Sequence, residues 1–171
     1  MTTSNIKTKI FKPRPSTGWL WVTFTALIPL GLALTLVLRF GFRGPMLLTI
    51  LIMGPIGIAF LLIAACFPTM KYELDGSALT LRYDPLLQYH IDIRQIKSIR
   101  RRDLGISPVS SFRFPGLAIF SVPYPEVGSV KMCATAASNG ILLIETDSAK
   151  YGMTPADEEA FVAELRNRMG K

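Results

Sequence analysis

The chain holds one histidine, His90, and two cysteines, Cys66 and Cys133, so the usual material for nucleophilic or metal chemistry is scarce. A zinc or catalytic thiol site gathers several His or Cys side chains at short spacings, and these three residues show no such pattern. His90 sits in an alternating stretch and reads as a strand histidine. Cys66 closes a long apolar run, and both cysteines read as ordinary reduced thiols of a cytosol-facing protein. Glu145 and Asp147 flank a turn, as solvated acids do. The serines lack a nucleophile-elbow pattern, and no Gly-rich phosphate loop is present. These residue types predict no enzyme, no cofactor, no metal and no small-molecule substrate.

Charge gives the remaining candidates. Arg100, Arg101 and Arg102 form the sharpest local cluster. Basic residues beside an acidic leaflet are attracted by about 1 kcal/mol each, so the cluster suits anionic headgroups. The competing reading pairs these arginines with Asp84, Asp92 or Asp103 on a solvated strand. The aromatic and basic run Phe112, Arg113 and Phe114 suits a membrane surface, a protein partner, or an ordinary loop folded onto its own domain. The net charge of +7 resembles a nucleic-acid signal until it is divided. Residues 1–67 carry six Lys or Arg and no acid, whereas residues 68–171 carry thirteen against twelve acids. The excess therefore belongs to membrane topology, and no nucleic-acid partner is expected.

The elements that must carry these residues fall into two kinds. From Trp19 to Leu38 run twenty residues, and from Gly44 to Phe67 twenty-four, without a charged side chain. About twenty apolar residues at 1.5 Å rise cross the roughly 30 Å core of a bilayer, so the pair predicts a transmembrane helical hairpin. A cleaved signal peptide has a shorter apolar region and no second span behind it. Trp19 and Trp21 mark one interface; Arg39 and Arg43, with Phe40 and Phe42, mark the other. Four cations precede the first span and two lie between the spans, which predicts both termini in the cytoplasm. Gly31 and Ala33 in one span, and Gly54 and Gly57 in the other, offer close helix contact. Neither span holds an Asp, Glu, Lys, Arg or His, which argues against a transporter or channel component.

Residues 1–16 are basic, and Pro13 and Pro15 predict irregular backbone there. Past Pro68 short alternating segments take over. Met70–Leu74 and Ala78–Tyr83 flank the turn signal Asp75-Gly76 and predict a hairpin. Further strands are expected over Gln88–Ile93, through Ile96 and Ile99, and over Leu117–Val122. Gly128–Thr135 and Ile141–Thr146 are expected as a second hairpin, with Lys150–Met153 as a last strand. Residues 104–116 read as a long loop. A closing helix is expected with Thr154 as cap, Pro155 at its first position and Asp157 completing a capping box. Phe161, Leu165 and Met169 recur on one face. Seven or so strands predict a sandwich or partly open antiparallel barrel with one amphipathic helix over an end.

The run Tyr72-Glu73-Leu74-Asp75-Gly76-Ser77, the segment Ile93–Arg100, and Lys150–Asp157 followed by Phe161–Leu165 resemble the small bacterial membrane proteins with a pleckstrin-homology-like domain. The resemblance covers roughly residues 70–168. It implies a seven-stranded pleckstrin-homology-like barrel capped by a C-terminal helix, and carries no catalytic motif. The expected organisation is a basic cytoplasmic tail at 1–18, a two-helix hairpin at 19–67 and the domain at 68–171. The expected function is a non-enzymatic scaffold in the bacterial inner membrane. Its domain would contact a protein partner, a second copy of itself, or the anionic membrane surface. The alternative is an accessory subunit of a larger membrane complex.

Overall fold

The computed structural model describes residues 8–41, 46–105 and 113–170. Two long helices, α1 (Gly18–Phe40) and α2 (Met46–Ala65), pack side by side. Both are long and apolar enough to cross a membrane. Their contact is close at one point: a Cβ added to Gly57 would stand 2.4 Å from Leu30 Cγ. Ala26 and Ala33 are buried in α1. Gly31 and Gly54, expected in that contact, have nothing near them and stand open. Thr23, Thr25 and Thr35 donate their hydroxyls to carbonyls four residues back, at 2.8, 2.9 and 2.7 Å. That satisfies the polar groups without water. Gly41, with φ of +64°, closes α1 by donating its N–H to Val37 O. A 3-10 turn (Phe67–Thr69) then leads directly into the β region.

That region holds two sheets. The smaller has the order β1 (Lys9–Phe11), β2 (Lys71–Asp75), β3 (Ala78–Tyr83), β4 (Leu87–Asp92). Asp75 pairs with Ala78, so the β2–β3 loop is Gly76-Ser77, with Gly76 at φ +44° as the tight turn needs. β1 lies in the tail expected to be irregular. The prolines do not prevent it, because they follow the strand and the neighbouring residues supply the donors. Arg14 N donates to Thr154 O at 2.7 Å, and Ala156 N donates to Lys12 O at 2.9 Å.

The larger sheet contains β5 (Ile96–Arg102), β6 (Arg113–Phe114), β7 (Leu117–Tyr124), β8 (Gly128–Ala134), β9 (Ile141–Thr146) and β10 (Lys150–Met153). Its order is β5-β9-β10-β8-β7-β6, so β8 and β9 are not the expected hairpin. β10 lies between them, antiparallel to β9 and parallel to β8. The connection explains this. Thr135 N donates to Thr154 Oγ1, Tyr124 Oη to Ala137 O, and Leu104 N to Ser138 O, at 2.8, 2.6 and 2.7 Å. These bonds carry the chain past β8, while the short turn after Thr146 folds β10 back onto β9. Gly152 makes the fit possible, since an added Cβ would be 2.3 Å from Met132 Sδ. The architecture is thus two sheets with one parallel pair, not a single closed seven-stranded antiparallel barrel.

Helix α3 (Glu158–Met169) covers the space between the sheets. Its cap is Asp157, whose carboxylate accepts from Ala160 N at 2.9 Å. Thr154, the expected cap, is instead buried and shares a 2.9 Å hydrogen bond with Thr135. Phe161 and Leu165 are buried, whereas Met169 is exposed. Phe161 meets Phe11 edge-on at 5.1 Å and Tyr72 at 6.3 Å, so the N-terminal strap (residues 8–16), the sheet and the helix share one core. A second apolar cluster, including Leu104, Val130, Met132 and Leu143, covers the other face of the larger sheet.

Candidate functional site

The three clustered arginines lie on β5, an edge strand, and strand alternation divides them. Arg101 turns toward the start of α3, where its guanidinium is 3.8 Å from Glu158. Arg14 reaches the same carboxylate oxygen at 3.8 Å. Arg100 and Arg102 occupy the alternate positions, opposite Leu143 and Ile141, and form no ion pair among the described residues. The acids expected as their partners lie elsewhere: Asp103 accepts from Gly140 N at 2.6 Å, Asp92 from Arg94 N, and Asp84 faces Arg82. A single three-arginine patch is therefore not formed.

Arg113 and Phe114 form β6, at the opposite edge of the same sheet. Arg113 lies 5.3 Å over the Tyr124 ring. Burial pushes the Tyr124 phenol up, and the neighbouring guanidinium opposes the shift. Phe114 is half-buried and meets Phe60 of α2 edge-on at 5.8 Å. It therefore faces the hairpin of its own chain. Phe112 and Arg43 lie outside the described residues. Trp19 and Trp21 are exposed at the start of α1, and Arg39 is in its last turn.

The other residues with chemical potential are occupied locally. His90 Nδ1 is 3.2 Å from Thr80 Oγ1 on an exposed strand position. Glu145 accepts from Ser98 Oγ at 2.7 Å, which holds its carboxyl below the usual range, and Asp147 pairs with Lys97. Burial pushes the Cys133 thiol up to about 12.

What sequence reasoning missed is the joint between hairpin and domain. Ser16 Oγ donates to Gly116 O at 2.7 Å and accepts from Gly18 N at 3.0 Å. The backbones approach so closely that a Cβ on Gly18 would be 2.1 Å from Gly116 O. Tyr83 of β3 donates its hydroxyl to Ile63 O near the end of α2. Burial raises its pKa and keeps it a neutral donor. Val22 and Ile63 belong to the same buried cluster as Tyr72 and Phe161. The pattern Ser-x-Gly before an apolar run was the available signal, but its partner lies 100 residues away.

This joint frames a groove of about 620 Å³. Residues 10 and 12–15 of the strap form one wall; residues 67–71, just past α2, form another, and Asp84 completes the lining. Its lining holds three cations, Lys12, Arg14 and Lys71, and one acid, Asp84; Lys71 pairs with Glu73 and Arg14 with Glu158.

No curated protein and no solved structure matches the chain. A family model described as a bacterial PH domain matches residues 70–169, the whole stretch from β2 through α3. Since that is more than half of the sequence, and it spans both sheets and the closing helix, the chain belongs to the bacterial PH domain family.

Proposed function

We propose that the chain is a non-catalytic scaffold of a bacterial inner membrane, anchored by its helical hairpin with both termini in the cytoplasm. The PH domain would present its free surfaces to a protein partner. One observation carries this reading: the hairpin and domain share a core and are bonded at both helix ends. Ser16 and Gly116 fix the start of α1, and Tyr83 fixes the end of α2. A domain so attached keeps one orientation toward the bilayer, as a platform requires. A flexibly tethered module would need no such contacts. The exposure of the helices supports the anchoring. Only 17% of the apolar stretch of α1 and 11% of the second are buried, where a soluble core helix would be mostly covered. The free edges β4 and β5 suit pairing with a strand of another chain.

A second reading, an accessory subunit of a larger membrane complex, is favoured by Gly31 and Gly54. Both stand open on the hairpin surface, where small residues let another helix approach closely. The mass of the native particle in mild detergent, with mass spectrometry of co-purifying chains, tests both. A fixed partner retained through a salt wash is expected. A bare monomer overturns the partner readings, and release of the chain by alkaline extraction of membranes overturns the anchoring.

A further inference from the structure

The larger sheet ends at β5, whose single neighbour among the described strands is β9. In an antiparallel ladder alternate residues turn their N–H and C=O groups to the neighbour, and the rest turn them away. Past the irregularity between Ile96 and Ser98, the stretch from Ser98 to Arg102 therefore keeps a regular outward row of backbone donors and acceptors. Helix α3 packs against the 3-10 turn (Ile93–Gln95) just before β5, and its Glu158 meets Arg101 near the other end of the strand. Helix and strand thus run side by side. Val162 and Arg166, one and two turns on from Glu158, share that flank of the helix. A groove of about 330 Å³ lies along it, lined by Glu158, Glu159, Val162, Ala163 and Arg166. We propose that the β5 edge and this groove dock an extended segment of a partner protein, with acids at alternate positions and small apolar residues between them. The proposal rests on the protein-partner reading and names the chemistry of that partner.

Strand alternation sorts the side chains of β5 by face. Ile99 and Arg101 stand opposite Ile144 and Leu142 of the inter-sheet core, the side on which α3 lies. Arg100 and Arg102 stand opposite Leu143 and Ile141 of the second cluster, exposed and without an ion pair among the described residues. A strand added to β5 continues both faces. Acids opposite Arg100 and Arg102 supply the ion pairs that these arginines lack within the chain. The residue between those acids is set toward Val162 and Ala163, where an apolar side chain fits. Arg101 is already engaged by Glu158, so the inner face needs no further acid. A second copy of the chain is the wrong occupant, because its own β5 would set arginine against arginine. An anionic lipid surface would meet the arginines and leave the backbone edge unpaired.

The test uses full-length protein in neutral detergent and fluorescent peptides of about eight residues, an ordinary strand length. One peptide alternates Glu and Val; another holds the same residues as a block of Glu followed by a block of Val. The alternating peptide is expected to bind about tenfold tighter. N-methylation of either all its Glu amides or all its Val amides should abolish binding, and methylation of the other set should change it less than about twofold, because only one set faces β5. Arg100→Gln with Arg102→Gln should weaken the alternating peptide about tenfold. Lys71→Gln with Lys131→Gln, an equal charge loss on β2 and β8, should change it less than about twofold. Equal affinity for the two peptides overturns the proposal, as does indifference to both methylation patterns. Both results come from the wild-type chain, so a misfolded variant cannot produce them. Displacement of the peptide by phosphatidylglycerol vesicles, with that same indifference, would assign the arginines to anionic surfaces and overturn it too. So would a wild-type dimer whose β5 amides are protected from hydrogen exchange, which would assign the edge to a second copy. Native purification separates the two levels. A chain that holds a fixed partner but ignores the alternating peptide sinks the β5 proposal alone, whereas a bare monomer that ignores it sinks the partner reading as well.

Discussion

Leucine and isoleucine fill both halves of this molecule and meet opposite fates. In the hairpin Ile28, Leu34 and Leu38 are 63%, 59% and 77% exposed, whereas in the domain Leu74, Leu79 and Leu81 are at 0%. Composition does not separate the two regions; period does. The helices are apolar on every side, so no rotation buries them, and on the proposed anchoring an apolar medium would cover what α1 and α2 leave open. The small sheet alternates instead. Tyr72 and Leu74 face the core from β2, while Lys71 and Glu73 face outward and pair at 3.0 Å. The difference teaches that one chain carries its apolar residues in two patterns, and that the core shared by hairpin and domain reaches into the helices as far as Val22 and Ile63.

The comparison breaks most visibly in the core. Phe161→Ala removes a ring held by Phe11, Tyr72 and the sheets, and should lower stability by about 3–5 kcal/mol in urea unfolding followed by circular dichroism. Leu34→Ala, though equally apolar, should leave the same transition where it is. The hairpin answers to a different assay. Ile28→Arg, near the middle of α1, should cost about 2.5–3.5 kcal/mol of membrane insertion and shift the chain out of the alkali-resistant membrane fraction. Ile28→Ala should not. If Ile28→Arg stayed fully in the membrane and Phe161→Ala unfolded at the wild-type midpoint, the division into two regions would be wrong.

The joint should respond at an intermediate size. Gly116 has φ of +82°, and an added Cβ would lie 2.2 Å from Ser16 Oγ. Gly116→Ala should therefore cost about 1–3 kcal/mol and speed limited proteolysis between hairpin and domain. A wild-type cleavage rate would mean that the two regions are not one body.

How much of this could be read from the sequence depends on how far apart the determining residues lie. The two long apolar helices needed only a local count of apolar residues, and the β2–β3 hairpin only Asp75-Gly76. The closing helix was legible to within its cap, because Thr154 and Asp157 both suit that role. What chose between them was Thr135, whose hydroxyl takes Thr154 away. The pairing of β10 between β8 and β9 was not legible, since both neighbours are compatible by pattern and the choice is made by bonds from Tyr124 and Leu104 to the connecting segment. β1 hid behind its prolines, because its partner strand is more than sixty residues away. The arginine cluster is divided for a physical reason. Three consecutive residues on a strand cannot share a face, and Arg101 finds Glu158 while its neighbours do not. The groove was beyond reach, since its walls come from residues 10, 12–15 and 67–71 and meet only in the fold.

The smallest expected effect tests whether the strap is held by charge as well as by Phe11. Glu164 of α3 accepts from Arg168 Nε at 2.8 Å and from Lys9 Nζ of β1 at 3.1 Å. The hydrogen bond from Arg168, and then that from Lys9, hold its carboxyl below the ordinary range. A carboxylate whose pKa is lowered by folding stabilises the fold above the unfolded value of about 4.3, and that contribution is lost as pH falls through the folded value. Exposure of Lys9 limits the effect to about 0.2–1 kcal/mol. Glu164→Gln should therefore be slightly less stable than wild type at pH 7, and the gap should close on acidification below about pH 4. A gap that stayed constant down to pH 3 would assign the contribution to side-chain packing, leaving Phe11 against Phe161 as what holds the strap to the helix.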